Sequence, residues 1–128
     1  MQQKARSAVL IIKDDMLLLI ERTRTPEPMY YVLPGGGVEE GETPEQAAIR
    51  EMKEELGVDI TVENKEKDLS QTARETWIVR ASLDESAEPV WMEEHKQTSA
   101  NSYKVVWLPI TQLKGALVYP KGTVSFIK

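Results

Sequence analysis

Two runs of five apolar residues stand near the start of the chain, Ala8–Ile12 and Met16–Ile20. They lie inside segments of β-type composition, Ala5–Lys13 and Met16–Thr23, which are separated by Asp14–Asp15. Two such segments around a short polar turn predict a β-hairpin. A membrane span needs about 20 apolar residues, so neither run predicts a membrane helix.

The next segments are divided by proline and glycine. Arg24–Met29 contains two prolines and predicts a loop, and Tyr30–Leu33 predicts a short strand that Pro34 ends. The three glycines that follow, Gly35–Gly37, predict a turn. Three later segments of apolar or alternating pattern predict further strands: Asp59–Asn64, Arg74–Leu83 and Tyr103–Leu108.

One helix is predicted with both of its ends. Thr43 is a suitable N-cap, Pro44 fits the first helical position, and Gln46 completes a capping-box pattern. Helix-forming residues occupy Ala47–Leu56, and Gly57 provides the C-terminal stop. A helix between strands, with a second helical piece at Pro109–Leu113 after the long polar loop Asp84–Ser102, predicts an α+β fold or an α/β/α sandwich.

Composition limits the chemistry. A chain of 128 residues with 41% hydrophobic and 29% charged residues predicts a single globular domain over 1–128. With no cysteine there is no disulfide, thiolate zinc site or cysteine nucleophile, and His95 is the single histidine. A metal bound by this chain is therefore expected to have oxygen ligands.

Charge limits the partners. The formal net charge is −5, and no basic cluster offers a path for duplex nucleic acid. Between Glu39 and Glu55 there are seven glutamates against two basic residues, an excess equal to the net charge of the whole chain. This uneven distribution places the candidate chemistry on and before the predicted helix.

The helix has two faces at 100° per residue. Its apolar stripe predicts the side that faces the core: Ile49, Met52 and Leu56. Glu51, Glu54 and Glu55 share a second arc at spacings i, i+3 and i+4, while Arg50 and Lys53 project to the side of it. Neighbouring carboxylates repel one another, and a divalent cation such as Mg²⁺ would convert the repulsion into binding. A merely solvated acidic face is the alternative interpretation of the helix alone.

These residues form a longer motif. Gly36 is followed after five residues by Glu42 and after seven more by the segment Arg50–Val58, which reads REMKEELGV. This arrangement resembles the Nudix box at every fixed position, and chance agreement is on the order of one in 10⁸ per starting point. Tyr31 with the residues up to Gly36, and the later Trp107-Leu-Pro, also look like the family's flanking elements.

The resemblance implies a Nudix-type α/β/α sandwich with a mixed β-sheet, and hydrolysis of a nucleoside diphosphate linked to another moiety. Glu51, Glu54 and Glu55 match the family's metal-ligand carboxylates, and Gly35 matches the residue whose backbone carbonyl joins them. Arg50 matches the arginine that orients the first helical glutamate. Glu42 matches a position that supports the loop and sometimes the metal through water. Mg²⁺ is the implied cofactor, with Mn²⁺ as a substitute.

The resemblance implies that the metal ion neutralises the diphosphate and acidifies the attacking water. Glu54 and Glu55 both suit the work of ligand or proton acceptor, and the sequence does not separate them. Some family members take the base or a further ligand from a loop outside the box, for which Glu93 and Glu94 are the candidates. Exposed loop charges are the alternative interpretation of that pair.

Other residues outside the box are weighed as substrate contacts. Arg22 and Arg24 leave the second strand toward the glycines, where they would clamp a phosphate or serve as surface charge. Tyr31, like its neighbour Tyr30 and like Trp91, would stack on a base or pack in the core.

The leading hypothesis is a cytoplasmic, metal-dependent pyrophosphohydrolase of a small nucleotide, with no membrane partner and with a homodimer left open. The alternative is a non-catalytic module of the same fold that senses a nucleotide or binds a partner. Such modules commonly lose carboxylates of the box, and all are present here.

Overall fold

The two apolar runs near the N-terminus form neighbouring strands that are buried on both faces. A computed structural model describes residues 4–127; residues 1–3 and 128, which the expected domain includes, lie outside the described part. In β1 (Arg6–Leu10), Ala8 and Leu10 enter one core cluster, whereas Val9 enters another. A strand covered on both sides needs apolar residues at every position, which explains the unbroken runs.

Nine strands and one α-helix make up the regular structure of residues 4–127. The strands after β1 are β2 (Ile12–Lys13), β3 (Met16–Arg24), β4 (Glu27–Val32), β5 (Gly35–Gly37), β6 (Ile60–Lys67), β7 (Thr76–Leu83), β8 (Asn101–Pro109) and β9 (Val118–Tyr119). The helix is α1 (Pro44–Leu56). Three short 3₁₀ helices complete the set: Glu94–Lys96, Ile110–Gly115 and Thr123–Phe126.

The strands form two mixed sheets. The first has the order β5-β1-β7-β6, with β1 parallel to β7 and the other pairs antiparallel. In the second, β3 pairs along one edge with β8 and along the other with β2 and β4, all antiparallel, and β9 joins β4 in parallel. The predicted mixed α/β fold is thus confirmed, with a 3₁₀ turn in place of a second α-helix.

Helix α1 begins and ends as its sequence predicts. The hydroxyl of Thr43 accepts a hydrogen bond from the Gln46 N–H at 3.1 Å, and the Gln46 side chain accepts one from the Thr43 N–H at 2.9 Å. Gly57 ends the helix in the left-handed conformation, with φ 68°. The buried hydroxyl of Ser7 in β1 donates to the carbonyl of Pro44 at 2.6 Å and so fixes the helix start against the first sheet.

Layers of side chains cover opposite sides of the strands. Met52 and Leu56 of α1 pack with Val9, Leu18 and Val79 in one core cluster. The second cluster contains Leu113 from the 3₁₀ helix Ile110–Gly115 together with residues of alternate parity from the same strands, such as Leu10, Leu17 and Ile78. The site residues of α1 are therefore held by a helix that rests on a two-sided core.

Two local expectations are corrected. The proline-containing segment is not a loop throughout, because β3 continues to Arg24 and β4 starts at Glu27, leaving only Thr25 and Pro26 between them. A strand can contain a proline such as Pro28 where the missing N–H is not needed for pairing with a neighbouring strand. The three glycines form β5 rather than a turn.

None of the helices in residues 4–127 is long and apolar enough to cross a membrane.

Candidate metal and substrate site

The glycine strand β5 brings its backbone against helix α1. Gly35 has φ +136°, and a side chain there would run into the carbonyl of Ser7 on β1. A Cβ on Gly36 would meet the carboxyl group of Glu51 at 2.5–2.7 Å. Both positions therefore require glycine, the first for the fold and the second to admit a carboxylate next to the strand.

Arg50 connects three carboxylates with this strand. Its Nε and Nη2 donate to the two oxygens of Glu42 at 2.7 and 3.0 Å. Nη1 donates to Glu51 at 2.9 Å and to Glu54 at 3.3 Å, and Nη2 donates to the carbonyl of Gly37 at 3.0 Å. The expectation that Arg50 projects to the side of the acidic face is wrong, because its long planar fork folds back over the carboxylates.

The ion pairs of Arg50 shift the titration of both partners. Hydrogen bonds from Arg50, aided by the backbone N–H of Glu39, lower the pKa of Glu42 to about 2. The hydrogen bonds to Glu42 and Glu51 raise the pKa of Arg50 above its ordinary value. The Glu42 carboxylate and the Arg50 guanidinium are consequently both charged across the physiological range.

Glu55 is the buried member of the acidic set. Its Oε1 accepts a hydrogen bond from the Gly35 N–H at 3.3 Å. Burial raises the pKa of the Glu55 carboxyl to about 7, and the charge of Glu51 adds to this effect, whereas the Gly35 hydrogen bond and the charge of Arg6 oppose it. A carboxyl with such a pKa exchanges a proton readily near neutral pH.

The helix is rotated relative to the orientation predicted from its apolar stripe. Ile49 is 44% exposed, whereas Ala47, which lies between the glutamates on the helical wheel, is fully buried. The acidic arc therefore does not face away from the core: Glu51 and Glu55 lie at the border of the buried face, and only Glu54 is exposed, at 57%. The buried side of α1 thus includes Ala47 and leaves out Ile49.

The donor set suits a hard cation in kind. Glu51, Glu54 and Glu55 supply carboxylate oxygens beside the backbone of β5, and Gly36 leaves room for one of these carboxylates. Within residues 4–127, however, no three acidic or imidazole side chains converge on one point. Glu51 and Glu54 instead share Nη1 of Arg50. Metal binding would require the exposed Glu54 side chain to turn away from Arg50.

A cleft of ≈ 170 Å³ opens beside Glu55. Gly35 and Glu55 line the cleft together with the cationic side chains of Arg6, Arg22 and Lys96. Lys96 pairs with Glu93 at 3.1 Å; although burial opposes it, this pair and the charge of Glu55 raise the pKa of Lys96. The cleft thus offers positive charge next to carboxylates, which is the combination that a metal-bound phosphate group requires.

The other candidate residues from the sequence, Glu42 of the motif and those outside it, fall into two groups. Arg22 lines the cleft, and Glu93 forms an ion pair with Lys96, which lines it too. Glu42 binds Arg50. Trp91, weighed as a stacking residue, also lines the cleft, whereas the remaining candidates do not: Arg24, Tyr30, Tyr31 and Glu94. Tyr31 packs against the second core cluster, on the other side of β4, whereas Arg24 and Glu94 are exposed.

Sequence reasoning missed Arg6, Lys96 and Tyr103. Arg6 is largely buried, donates to the Leu33 carbonyl at 2.9 Å, and has a pKa lowered by that burial. It belongs to the first strand, Lys96 to the polar segment and Tyr103 to β8. Only the strand pairing brings these segments together. The one sequence signal that could have indicated this group was Arg6, a basic residue at the start of the otherwise largely apolar strand β1.

Comparison with known proteins is consistent with this geometry. The NUDIX domain family model matches residues 1–125. An NAD-capped RNA hydrolase of Shigella dysenteriae is 32% identical over 115 residues, which are 85% of this chain and 42% of the relative. An ADP-ribose pyrophosphatase of Methanocaldococcus jannaschii is 51% identical over 49 residues, which are 38% of this chain and 29% of the relative. The chain spans less than half the length of these two curated relatives.

The fold has solved counterparts of similar size. A MutT NUDIX hydrolase from Burkholderia pseudomallei superimposes with a TM-score of 0.69 at 24% identity, covering 100% of both chains. At this level of identity the structural similarity establishes only the fold. Membership of the family is shown by the family model, which matches nearly the whole chain. With the motif residues assembled around Arg50 and β5, this chain belongs to the NUDIX domain family.

Proposed function

We propose that this chain is a metal-dependent pyrophosphohydrolase that cleaves the diphosphate linkage of a small nucleotide by attack of water at phosphorus. The observation that carries the proposal is the contact set of Arg50, which ties Glu42, Glu51 and Glu54 to the Gly37 carbonyl. A solvated acidic face would not require these contacts. The contact set of Arg50 instead fits a site in which several carboxylates are held beside one strand.

Glu51, Glu54 and Glu55, with the backbone carbonyl of Gly35, are the proposed ligands of Mg²⁺ or Mn²⁺. Bound there, the ion would neutralise the diphosphate and lower the pKa of the attacking water. Arg50 orients Glu51 through its rigid fork, whereas Glu54 would leave its contact with Arg50 to reach the ion. Glu42 in turn holds Arg50 bidentately, so the orientation extends back to the loop before the helix.

Three carboxylates are candidates for the proton acceptor. Glu55 lies at the cleft beside the Gly35 N–H, and burial raises its pKa to about 7 in the metal-free protein, so it suits this role where it does not itself bind the ion. Glu54 is exposed and free to rotate once it leaves Arg50. Glu93, paired with Lys96 at the same cleft, is the candidate from outside the motif. Substitution of each by glutamine separates them.

The cations of the cleft are the proposed phosphate contacts. Arg6, Arg22 and Lys96 come from three different segments and meet beside Glu55. Their charges oppose the overall acidity of the chain at the place where an anionic substrate would enter. The exposed Arg24 lies outside this group.

The names of the relatives support the reaction class more than any one substrate. They include an ADP-ribose pyrophosphatase, an 8-oxo-dGTP diphosphatase and an NAD-capped RNA hydrolase. The matches to the first two cover 38% and 25% of this chain, so they leave most of the surface that recognises a substrate uncompared. A nucleoside triphosphate, ADP-ribose or another nucleoside diphosphate derivative remains the proposed class. A cytoplasmic location and a homodimer stay predictions.

The test is a substrate panel with identified products. Nucleoside triphosphates, ADP-ribose, dinucleoside polyphosphates, NAD and nucleotide sugars are incubated with the wild type, with and without Mg²⁺, and the phosphate-containing products are identified. We expect turnover of at least one substrate that stops on chelation and returns with Mg²⁺ or Mn²⁺. Full turnover after exhaustive chelation would contradict the metal mechanism. Nucleotide binding without any turnover would favour the non-catalytic sensing module.

A further inference from the structure

Arg22 lies between two tyrosines across the second sheet. In the register of β3 with β8 it is directly opposite Tyr103, and in the register with β4 it is directly opposite Tyr30. Directly opposed residues project from the same face of a sheet. The guanidinium carbon of Arg22 is 4.1 Å from the centroid of the Tyr103 ring and 5.8 Å from that of Tyr30. Tyr103 is thus the nearer of the two rings.

Tyr103 is itself held from two sides. Its ring stacks on Trp91, with centroids 4.5 Å apart and planes 5° from parallel. The side-chain amide of Gln97 binds the Tyr103 backbone twice, accepting from its N–H at 2.9 Å and donating to its carbonyl at 2.7 Å. The indole N–H of Trp91 donates to the Glu93 carbonyl at 2.9 Å. These contacts give the Tyr103 ring one position.

The hydroxyl of Tyr103 completes the contact with Arg22. It accepts a hydrogen bond from Nη2 of Arg22 at 2.9 Å. Within residues 4–127, Arg22 has no carboxylate partner at ion-pair distance, and its Nε is buried without a hydrogen-bond acceptor. An uncompensated, partly desolvated guanidinium is unfavourable for stability alone, and such groups are retained where a ligand supplies the missing charge.

We propose that Tyr103 is a positioning residue, which holds the Arg22 guanidinium at the cleft so that it binds an anionic phosphate group of the substrate. The inference rests on the proposed function in one respect, namely that the ligand contains a diphosphate. Tyr103 acts through ring contact and hydroxyl, and Trp91 and Gln97 fix it in turn. No motif predicts this role, because the two residues are 81 positions apart in sequence.

A double-mutant cycle between Arg22 and Tyr103 tests the proposal. Tyr103→Phe keeps the stacked ring and removes only the hydroxyl, so the cycle uses the wild type, Tyr103→Phe, Arg22→Gln and the double variant. We expect Tyr103→Phe to raise KM by about 3- to 10-fold with little change in kcat, since one hydrogen bond to a ligand-binding group is lost. In the Arg22→Gln background the same change is expected to alter KM by less than about twofold. Tyr119→Phe serves as the control, because it removes a hydroxyl from a ring that does not line the cleft.

A binding measurement separates this inference from the proposed function. The dissociation constant of inorganic pyrophosphate, measured by calorimetry without turnover, is expected to follow the same cycle. Binding that shows the coupling while no panel substrate is turned over would contradict the proposed function and leave the positioning role standing. Equal losses from Tyr103→Phe in both backgrounds, a fall in kcat with unchanged KM, or no pyrophosphate binding by the wild type would each overturn the positioning role.

Discussion

The backbone N–H of Gly35 donates to the buried carboxyl of Glu55 at 3.3 Å, and the backbone carbonyl of Glu55 accepts from the Met92 N–H at 2.9 Å. Glu55 is thus fixed at its side chain by the glycine strand and at its main chain by the segment that leads to Glu93. The last turn of α1 leaves carbonyls without helical partners, and this segment satisfies two of them, because the Val90 N–H also donates to the Leu56 carbonyl at 3.1 Å. Helix, strand and loop therefore meet at one residue, Glu55.

Replacing Arg50 by lysine separates orientation from charge. Lysine keeps the positive charge but has one donor group, which cannot reproduce contacts to Glu42, Glu51, Glu54 and the Gly37 carbonyl. We expect kcat/KM to fall about 10- to 100-fold in Arg50→Lys. Lys53→Arg, a basic exchange at an exposed position of the same helix, is the matched control. Equal activity of the arginine and lysine forms would reduce Arg50 to a surface ion pair.

Neutral replacements of Glu54 and Glu55 test the proposed ligands. Glu54→Gln and Glu55→Gln are expected to lower kcat by at least about 10²-fold, the scale of a lost ligand or proton acceptor. Both proteins should fold, because Glu54 is exposed and burial already favours the neutral form of Glu55. Rate measurements with a thermal melt of each variant decide the point, with the exposed Glu40→Gln as control. Near-wild-type rates in both variants would mean that the acidic arc is only solvated charge.

Gly36→Ala is expected to damage the site more than the fold. The added methyl group meets the carboxyl end of Glu51, which is the movable end of a flexible side chain, rather than backbone. We expect kcat/KM to fall at least about 10-fold, while the free energy of unfolding in urea changes by less than about 1 kcal/mol. Gly115→Ala is the control, since a Cβ there meets nothing within 4 Å. A Gly36→Ala protein with full activity would show that Glu51 is not needed at this position.

The Glu42–Arg50 pair predicts a component of acid unfolding. Because the folded pKa of Glu42 is lowered from 4.5 to about 2, the pair contributes its full stability above pH 4.5. That contribution is lost as the pH falls from 4.5 to about 2, where the folded state must also take up the proton. The free energy of unfolding of Glu42→Gln should therefore fall less steeply over this range than that of the wild type. Parallel curves for the two proteins would remove the pair from the stability of the fold.

Local sequence signals predicted the two ends of α1 correctly, but they did not predict which side of the helix is buried. Thr43, Gln46 and Gly57 act within a few residues of themselves, so their sequence pattern suffices to place the helix ends. Which side of a helix is buried depends on what it meets. Ala47 is buried and Ile49 exposed because of the neighbouring strands, and a hydrophobic count along the helix cannot include them.

The motif residues were predicted from sequence because they lie within 23 consecutive positions, Gly36 to Val58. The cleft was not. Arg6, Arg22 and Tyr103 become neighbours only through the pairing of β1 with β5 and of β3 with β8. The proposed substrate contacts therefore depend on long-range pairing that the local pattern of any one segment does not contain.

The position of β5 at the end of its sheet has a consequence for solubility. An edge strand without side chains is an open template for the addition of a strand from another molecule. Here charged side chains occupy two backbone groups of the strand, Glu55 the Gly35 N–H and Arg50 the Gly37 carbonyl. The charged side chains of the site thus also shield the edge. Losing them exposes three glycines in extended conformation to self-association, a burden on this chain that is separate from any loss of catalysis.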